Sequence, residues 1–472
     1  MREGTRACFG VIVGSRGFFN PKLAAEGRQS LLTQLETLGY EAVVMPEDAT
    51  PNGAVETSED ALKYARYFDE RKDRIHGFIV SLPNFGDELG IVHTLSETSV
   101  KAPVLVQAFN DEIDKVDVAN RRDAFCGKIS VCNNLRQYGI SFSDTTAHTC
   151  DVTGADFAAD LEKFAGVCRV VQGLRKARIG QVGTRPAPFQ TMRASEKLLQ
   201  ASGITVVPVD FSEILFPAMR MDETAEVKAQ MEAMQEYGSI PSHIPRENIV
   251  KQAKLSVKLN EWIRENAIDA AGVQCWTSVQ QNYGCAVCTT MSMLGELLVP
   301  CACEADIGGA VGMYALTLAT GNPSALLDWN NNYGDDPDRC VGTHCSNFPK
   351  GFINADIEIS NLDVLGEALG PGNCFGGIKG KVQPGPMSFA RVDTDDLNGV
   401  IRAYTGNGEF TDDPFDMAGG IAVCRIPELR KLLKLICAEG FEHHVGMARG
   451  QCADVLEEAF TKYLGWQTYR HA

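Results

Sequence analysis

The alternation of strand-like and helix-like runs over most of this chain is the strongest constraint on its fold. Residues 7–13, 41–45, 75–81 and 104–109 are short apolar runs rich in β-branched residues, and residues 21–38 and 58–71 between them carry apolar side chains at helical spacing. Strands separated by helices join in parallel with helices on both faces, so the first part of the chain is predicted to be a doubly wound α/β domain. A helix over 156–174 ends in Arg175 and Lys176 and leads into a second such series. Its predicted strands are 177–182, 205–209, 270–274 and one at Val299. Its predicted helices are 191–202, 224–237, 249–266 and 285–298. Beyond about residue 345 the texture changes to glycine, proline, asparagine and short β-like runs such as 352–359 and 387–392. The expected division is an N-terminal α/β domain over 1–175, a central α/β domain over 176–345 and a β-rich domain over 346–472.

A chain of 472 residues is too long for one ordinary core, in keeping with that division. Its 44 basic and 61 acidic side chains leave a net charge of −17, which opposes binding to nucleic acid or to an anionic membrane. No stretch is apolar for the length a membrane span needs, and the first residues run into a strand without the apolar segment of a signal peptide. A cytoplasmic protein acting on a small molecule is the expectation. The 16 cysteines are scattered from Cys8 to Cys452 and fit small core residues better than a disulfide framework. Cys285, Cys288, Cys301 and Cys303 have spacings that admit a four-thiolate zinc site, but the run from Cys285 reads as a buried helix in which such cysteines are packing residues.

The densest chemical signal is the stretch holding Glu304 and Asp306, two carboxylates between an apolar run ending at Pro300 and another beginning at Ala310. Burying an unpaired carboxylate costs several kcal/mol, so a cation, a hydrogen-bond network or a substrate should meet them. Oxygen ligands favour Mg²⁺ or Mn²⁺, and His443 and His444 offer a nitrogen ligand late in the chain. In parallel sheets ligands bind beyond the carboxyl ends of the strands. Arg16 follows the first strand, Arg185 the first strand of the second series, and Trp276 the strand ending at Gln274. The glycines at 14 and 17 lack the spacing of a dinucleotide fingerprint, and no phosphate-cradling helix follows the glycine-rich segment 370–377.

Taken in order, Phe125 to Gly127 with Asn134, Leu135, Gly139 and Ile140, Gly183 to Pro186 with Phe189, Cys275 and Trp276 with Tyr283, Gly284 and Cys288, Ala302 to Asp306 with Gly309, His344 and Cys345, Gly380 with Pro384 to Pro386, and His443 to Val445 with Gly450 resemble the L-fucose/L-arabinose isomerase superfamily, in particular its short fucose isomerase-like members. The resemblance implies two α/β domains followed by a barrel-like β domain, and a homotrimer or homohexamer with sites between subunits. It also implies a Mn²⁺-dependent aldose–ketose isomerase working by an ene-diol route. The family's metal is held by a glutamate, an aspartate and a histidine. Asp306 matches the aspartate, and His444 matches the histidine because Gly450 follows it at the family's interval. A histidine at the place of His344 faces the sugar in the family. Moving a carbonyl from C1 to C2 needs a base for the C2 proton and positive charge for the developing enediolate, roles open to Glu304 and to the metal. A structural Glu304–arginine pair is the alternative for that acid.

One departure stands out. Where short family members carry a metal-binding glutamate two residues after the tryptophan, this chain has Ser278. Gln280 or Gln281 could ligate through an amide oxygen, or Glu304 could replace the missing acid. A neutral group there also makes room for an anionic sugar, a uronate or a sulfonated or phosphorylated hexose, with Arg16 and Arg185 as candidates for its charged tail. A sugar-binding protein that has lost catalysis is the alternative class. A zinc hydrolase finds no supporting motif.

Overall fold

A computed structural model describes residues 7–471 of the chain. It divides into two compact units, one running to Gln172 and the other from Gly173. The first unit is a five-stranded sheet with every pairing parallel, in the order β2-β1-β3-β4-β5. Its strands are β1 (Cys8–Val13), β2 (Glu41–Val44), β3 (Gly77–Leu82), β4 (Val104–Ala108) and β5 (Ser143–Asp144). β1, β3 and β4 are buried along their whole length, as expected of strands covered on both faces by helices. The covering helices are α1 (Pro21–Thr37), α2 (Ser58–Asp69), α3 (Glu88–Glu97) and α4 (Ala124–Gln137). α5 (Ala155–Leu174) then carries the chain to the second unit.

That unit opens with a four-stranded parallel sheet in the order β7-β6-β8-β9, built from β6 (Arg178–Val182), β7 (Thr205–Val209), β8 (Ala270–Val273) and β9 (Cys301–Ala302). Its helices are α6 (Glu196–Ala201), α7 (Ser212–Arg220), α8 (Ala225–Tyr237), α9 (Arg246–Glu265), α10 (Ser278–Asn282), α11 (Cys288–Glu296) and α12 (Ile307–Thr320). The chain passes from β6 outward to β7 and returns to β8 on the other side. A crevice therefore opens at the carboxyl ends of β6 and β8.

The remaining strands are β10 (Ser324–Asn332), β11 (Arg339–His344), β12 (Glu358–Asn361), β13 (Phe375–Lys381), β14 (Gly385–Asp395), β15 (Val400–Thr411), β16 (Gly420–Arg425), β17 (His444–Arg449) and β18 (Gln467–Arg470). They form one nine-stranded sheet, and an added β15–β16 pairing closes β16-β11-β10-β17-β14-β15 into a six-stranded antiparallel barrel. The α/β organisation and the β-rich end expected from the sequence are both present. Locally, residues 352–359 are not one β run. Pro349 precedes a short helix, Lys350–Ile353, which Asn354 ends in a left-handed conformation, and pairing starts only at β12. α7 also went unread, because Pro217 inside it looks like a helix breaker.

Candidate functional site

Glu304 and Asp306 sit where β9 turns into α12. Glu304 and Ala305 both have positive φ, 55° and 53°, in a left-handed turn that non-glycine residues adopt at a cost of about 1–3 kcal/mol each. β8 lies so close that a Cβ on Gly272 would come within 2.8 Å of the Ala305 backbone, which only glycine allows. The turn separates the two acids and gives them different surroundings.

Asp306 is fully engaged. It caps α12 by accepting the Gly309 amide at 2.8 Å, and both its oxygens receive the Arg391 guanidinium, one of them from Nη2 at 3.1 Å. Arg391 reaches in from β14, is 1% exposed, and also donates to Glu442 at 2.9 Å. Burial alone would raise the Asp306 pKa, but Arg391 foremost, then His444, hold it well below the usual carboxylate range. Burial pushes Glu442 the other way, to about 7, against the pull of Arg391.

Glu304 is buried with capacity to spare. Its Oε1 accepts the Trp276 indole N–H at 2.6 Å, whereas its Oε2 has no hydrogen-bond partner. That oxygen faces His344 Nε2 at 3.4 Å and His444 Nε2 at 3.6 Å. Burial would raise its pKa, yet His344 first among its neighbours brings it down to about 2, so the group is an anion at neutral pH. The same charge lifts His344 well above the ordinary histidine value despite burial.

The barrel supplies the nitrogen side. β10 pairs with β17 so that Asp328 is opposite His444, and β10 pairs with β11 so that Asp328 is opposite Thr343, next to His344. His444 turns Nδ1 to Asp306 Oδ2 at 2.9 Å and Nε2 toward Glu304 and toward Asp328 Oδ1 at 3.4 Å. A carboxylate behind one ring nitrogen fixes the tautomer and aims the other nitrogen forward, the arrangement found behind histidine metal ligands. Among the described residues, ligand atoms within 4.8 Å of one another form three groups: Glu304 with His344 and His444, Asp328 with His443 and His444, and Glu304 with Cys275 and Cys303. The first is a carboxylate–imidazole donor set with an orphaned buried oxygen, and its chemistry fits a divalent ion.

The other expected residues of the second unit fall around this centre. Trp276 links Glu304 to a cavity of about 610 Å³ lined by Arg185, Gln274, Trp276, Ser278, Gln281 and Asn282. A second cavity of about 910 Å³ passes Ala305, Ile307 and Glu442 on the other flank and shares Thr184 and Arg185 with the first. Arg185 Nη1 is held by the carbonyls of Pro186, Ala187 and Phe189. Gln280 is buried, donating to the Cys275 carbonyl at 2.9 Å with its own Oε1 unpaired. His443 stays half exposed beside Phe189, with Nε2 at 3.8 Å from Asp328. Arg16 belongs to the first unit, where it pairs with Glu88 at 2.8 Å and stacks over Phe85. Arg391, Asp328, Cys275 and Cys303 were not read as one site from the sequence. The one available signal was an arginine in the middle of the apolar run from Met387 to Val392.

The second unit thus joins a six-stranded barrel to a parallel sheet, and residues of both form the buried carboxylate–histidine cluster. The family model for the fucose/sulfoquinovose isomerase N-terminal domain matches residues 10–175, and that for the L-fucose isomerase C-terminal domain matches residues 342–471. The two matches together span more than half of the chain, which belongs to the fucose isomerase-like superfamily and is an isomerase. Proteins named sulfoquinovose isomerase from Priestia aryabhattai and Priestia megaterium are each 26% identical to it over 359 residues, 76% of this chain and 78% of theirs. One of the same name from a Clostridium species is 26% identical over 210 residues, 44% of this chain and 46% of its own. Among the described residues, no helix is long and apolar enough to cross a membrane.

Proposed function

We propose that this protein is a metal-dependent aldose–ketose isomerase that acts on an open-chain sulfonated hexose through an ene-diol. The observation that carries the reading is the Oε2 of Glu304, an ionised, buried oxygen without a hydrogen-bond partner that faces two histidines. Glu304, His344 and His444 are the groups that would hold a divalent ion, Mn²⁺ or Mg²⁺. Such an ion supplies charge stabilisation to the oxygen that turns negative as the C2 proton leaves. Glu304 accepts that proton and returns it to C1, Trp276 holding the carboxylate in place through its indole N–H. Asp306 orients His444 and, to ligate directly as the family resemblance implies, would release Arg391 or His444.

The anionic substrate is supported by the names of the relatives and by local charge. A chain of net charge −17 repels an anion unless a cation stands at the site, and Arg185 lies where the two cavities meet. Ser278, neutral where a carboxylate would repel a sulfonate, lines the same cavity, with Gln281 beside it for hydroxyl contacts. A cytoplasmic homotrimer or homohexamer follows the family resemblance, and exposed apolar side chains such as Phe18, Ile113 and Val118 are available to an interface. The test is a panel of sulfonated, phosphorylated, uronic and neutral aldoses incubated with Mn²⁺-loaded protein. Ketose formed fastest from the sulfonated aldose is expected. Faster turnover of neutral aldoses would overturn the substrate assignment, and no ketose from any of them would overturn the activity.

A further inference from the structure

Behind Glu304, on the side away from the histidines, lie two thiols that the isomerisation does not use. β8 and β9 run side by side in the register Ala271–Cys301 and Gly272–Ala302. Cys275 follows β8 and Cys303 follows β9, so both leave the sheet at the same edge. The Cys275 thiol donates to Glu304 Oε1 at 3.5 Å. The two sulfurs and a Glu304 oxygen are within 4.8 Å of one another, and all three residues are buried.

Both sulfurs are also approached by N–H donors. The Glu304 amide points at Cys275 Sγ at 3.4 Å, and Asn347 Nδ2 at Cys303 Sγ at 3.8 Å. Burial raises the pKa of the Cys275 thiol, and the neighbouring Cys275 thiol together with burial raises that of Cys303, so a metal bound here would displace their protons. Asn347 is itself anchored on the Cys301 carbonyl at 2.6 Å, so this donor is fixed in place.

We propose that Cys275, Cys303 and Glu304 form a site for a borderline-soft divalent cation of the Zn²⁺ or Co²⁺ class, additional to the histidine–carboxylate group. Two thiolates and one carboxylate suit such an ion and not Mg²⁺ or Mn²⁺. The pair differs from the thiol sets suggested by spacing: Cys303 is grouped with Cys275, 28 positions earlier, and not with Cys285, Cys288 or Cys301. This site draws on Oε1 of Glu304, the oxygen turned from the histidines.

The test is a titration of the metal-stripped, fully reduced full-length protein with Co²⁺ alone, read by the thiolate-to-cobalt charge-transfer band in the near ultraviolet. A saturating band that Zn²⁺ bleaches is expected for the wild type and for Cys285→Ser, and its loss is expected in the double variant Cys275→Ser/Cys303→Ser. His444→Asn is expected to keep the band. Should the double variant not fold, Cys303→Ser alone is expected to weaken Zn²⁺ binding by about tenfold or more. No band in the wild type, or a band that survives in the double variant, overturns the proposal. The isomerase reading is scored separately: ketose formation with Mn²⁺ in a protein lacking the band removes this inference and leaves that reading standing.

Discussion

The two units each contain a parallel sheet with a crevice where the strand order reverses, and the two crevices are used differently. In the first unit, beyond β1 and β3, the polar side chains are satisfied by one another. Asn84 donates to Ser15 at 3.2 Å and accepts the Gly86 amide at 3.0 Å, while Arg16 is held by Gly86 and Glu88. In the second unit, beside its crevice at the ends of β6 and β8 and on the barrel strands facing Glu304, Glu304 Oε2, Gln280 Oε1, His344 Nδ1 and Asp328 Oδ1 are all buried without hydrogen-bond partners. The same topology makes both crevices. Leaving buried hydrogen-bonding capacity unspent costs stability, and that cost is concentrated in one of them, which is where chemistry is expected.

Substitutions can break or sharpen this contrast. The largest effect is expected from Arg391→Leu, which leaves Asp306 and Glu442 buried without their cation and lowers the unfolding free energy by about 3–5 kcal/mol in urea titration. Adding Asp306→Asn should recover part of that loss. Glu304→Gln keeps the shape of the carboxylate and removes its charge. It is expected to lower kcat at least about 10²-fold on the best aldose while the protein still melts cooperatively. Asp306→Asn alone separates two roles: weakening of Mn²⁺ binding by about 10–100-fold fits a residue that orients His444, and complete loss fits a direct ligand. Arg185→Gln is expected to raise KM for a sulfonated aldose about tenfold and to leave a neutral aldose unaffected. Arg16→Gln should matter least, changing stability by less than about 1 kcal/mol because the Arg16–Glu88 pair is part exposed. A raised KM in that variant would return Arg16 to the substrate site.

What could be read in the sequence follows the same division. Strand runs such as 104–109 were legible because buried parallel strands are continuous apolar segments, and Glu304 was legible because an acid between two such segments has no ordinary explanation. His344 and His444 emerged from an ordered set of motifs; their own surroundings in the sequence do not mark them. Asp328 and Arg391 were not legible. What makes them part of the site is barrel registry, Asp328 opposite His444 and β14 beside β17, which joins residues far apart in the chain. The different fates of Glu304 and Asp306 were also hidden. Two acids one residue apart look equivalent until a left-handed turn sends one to an arginine and the other to a pair of histidines.

The central claim is that the Glu304 carboxylate is where the substrate proton goes. Its most direct test is deuterium incorporation at C2, followed by NMR in D₂O with a sulfonated aldose and Mn²⁺, comparing the wild type with Glu304→Gln. The account predicts exchange and ketose formation in the wild type and loss of both in a Glu304→Gln protein that still binds the sugar. Exchange at the wild-type rate in Glu304→Gln would contradict it.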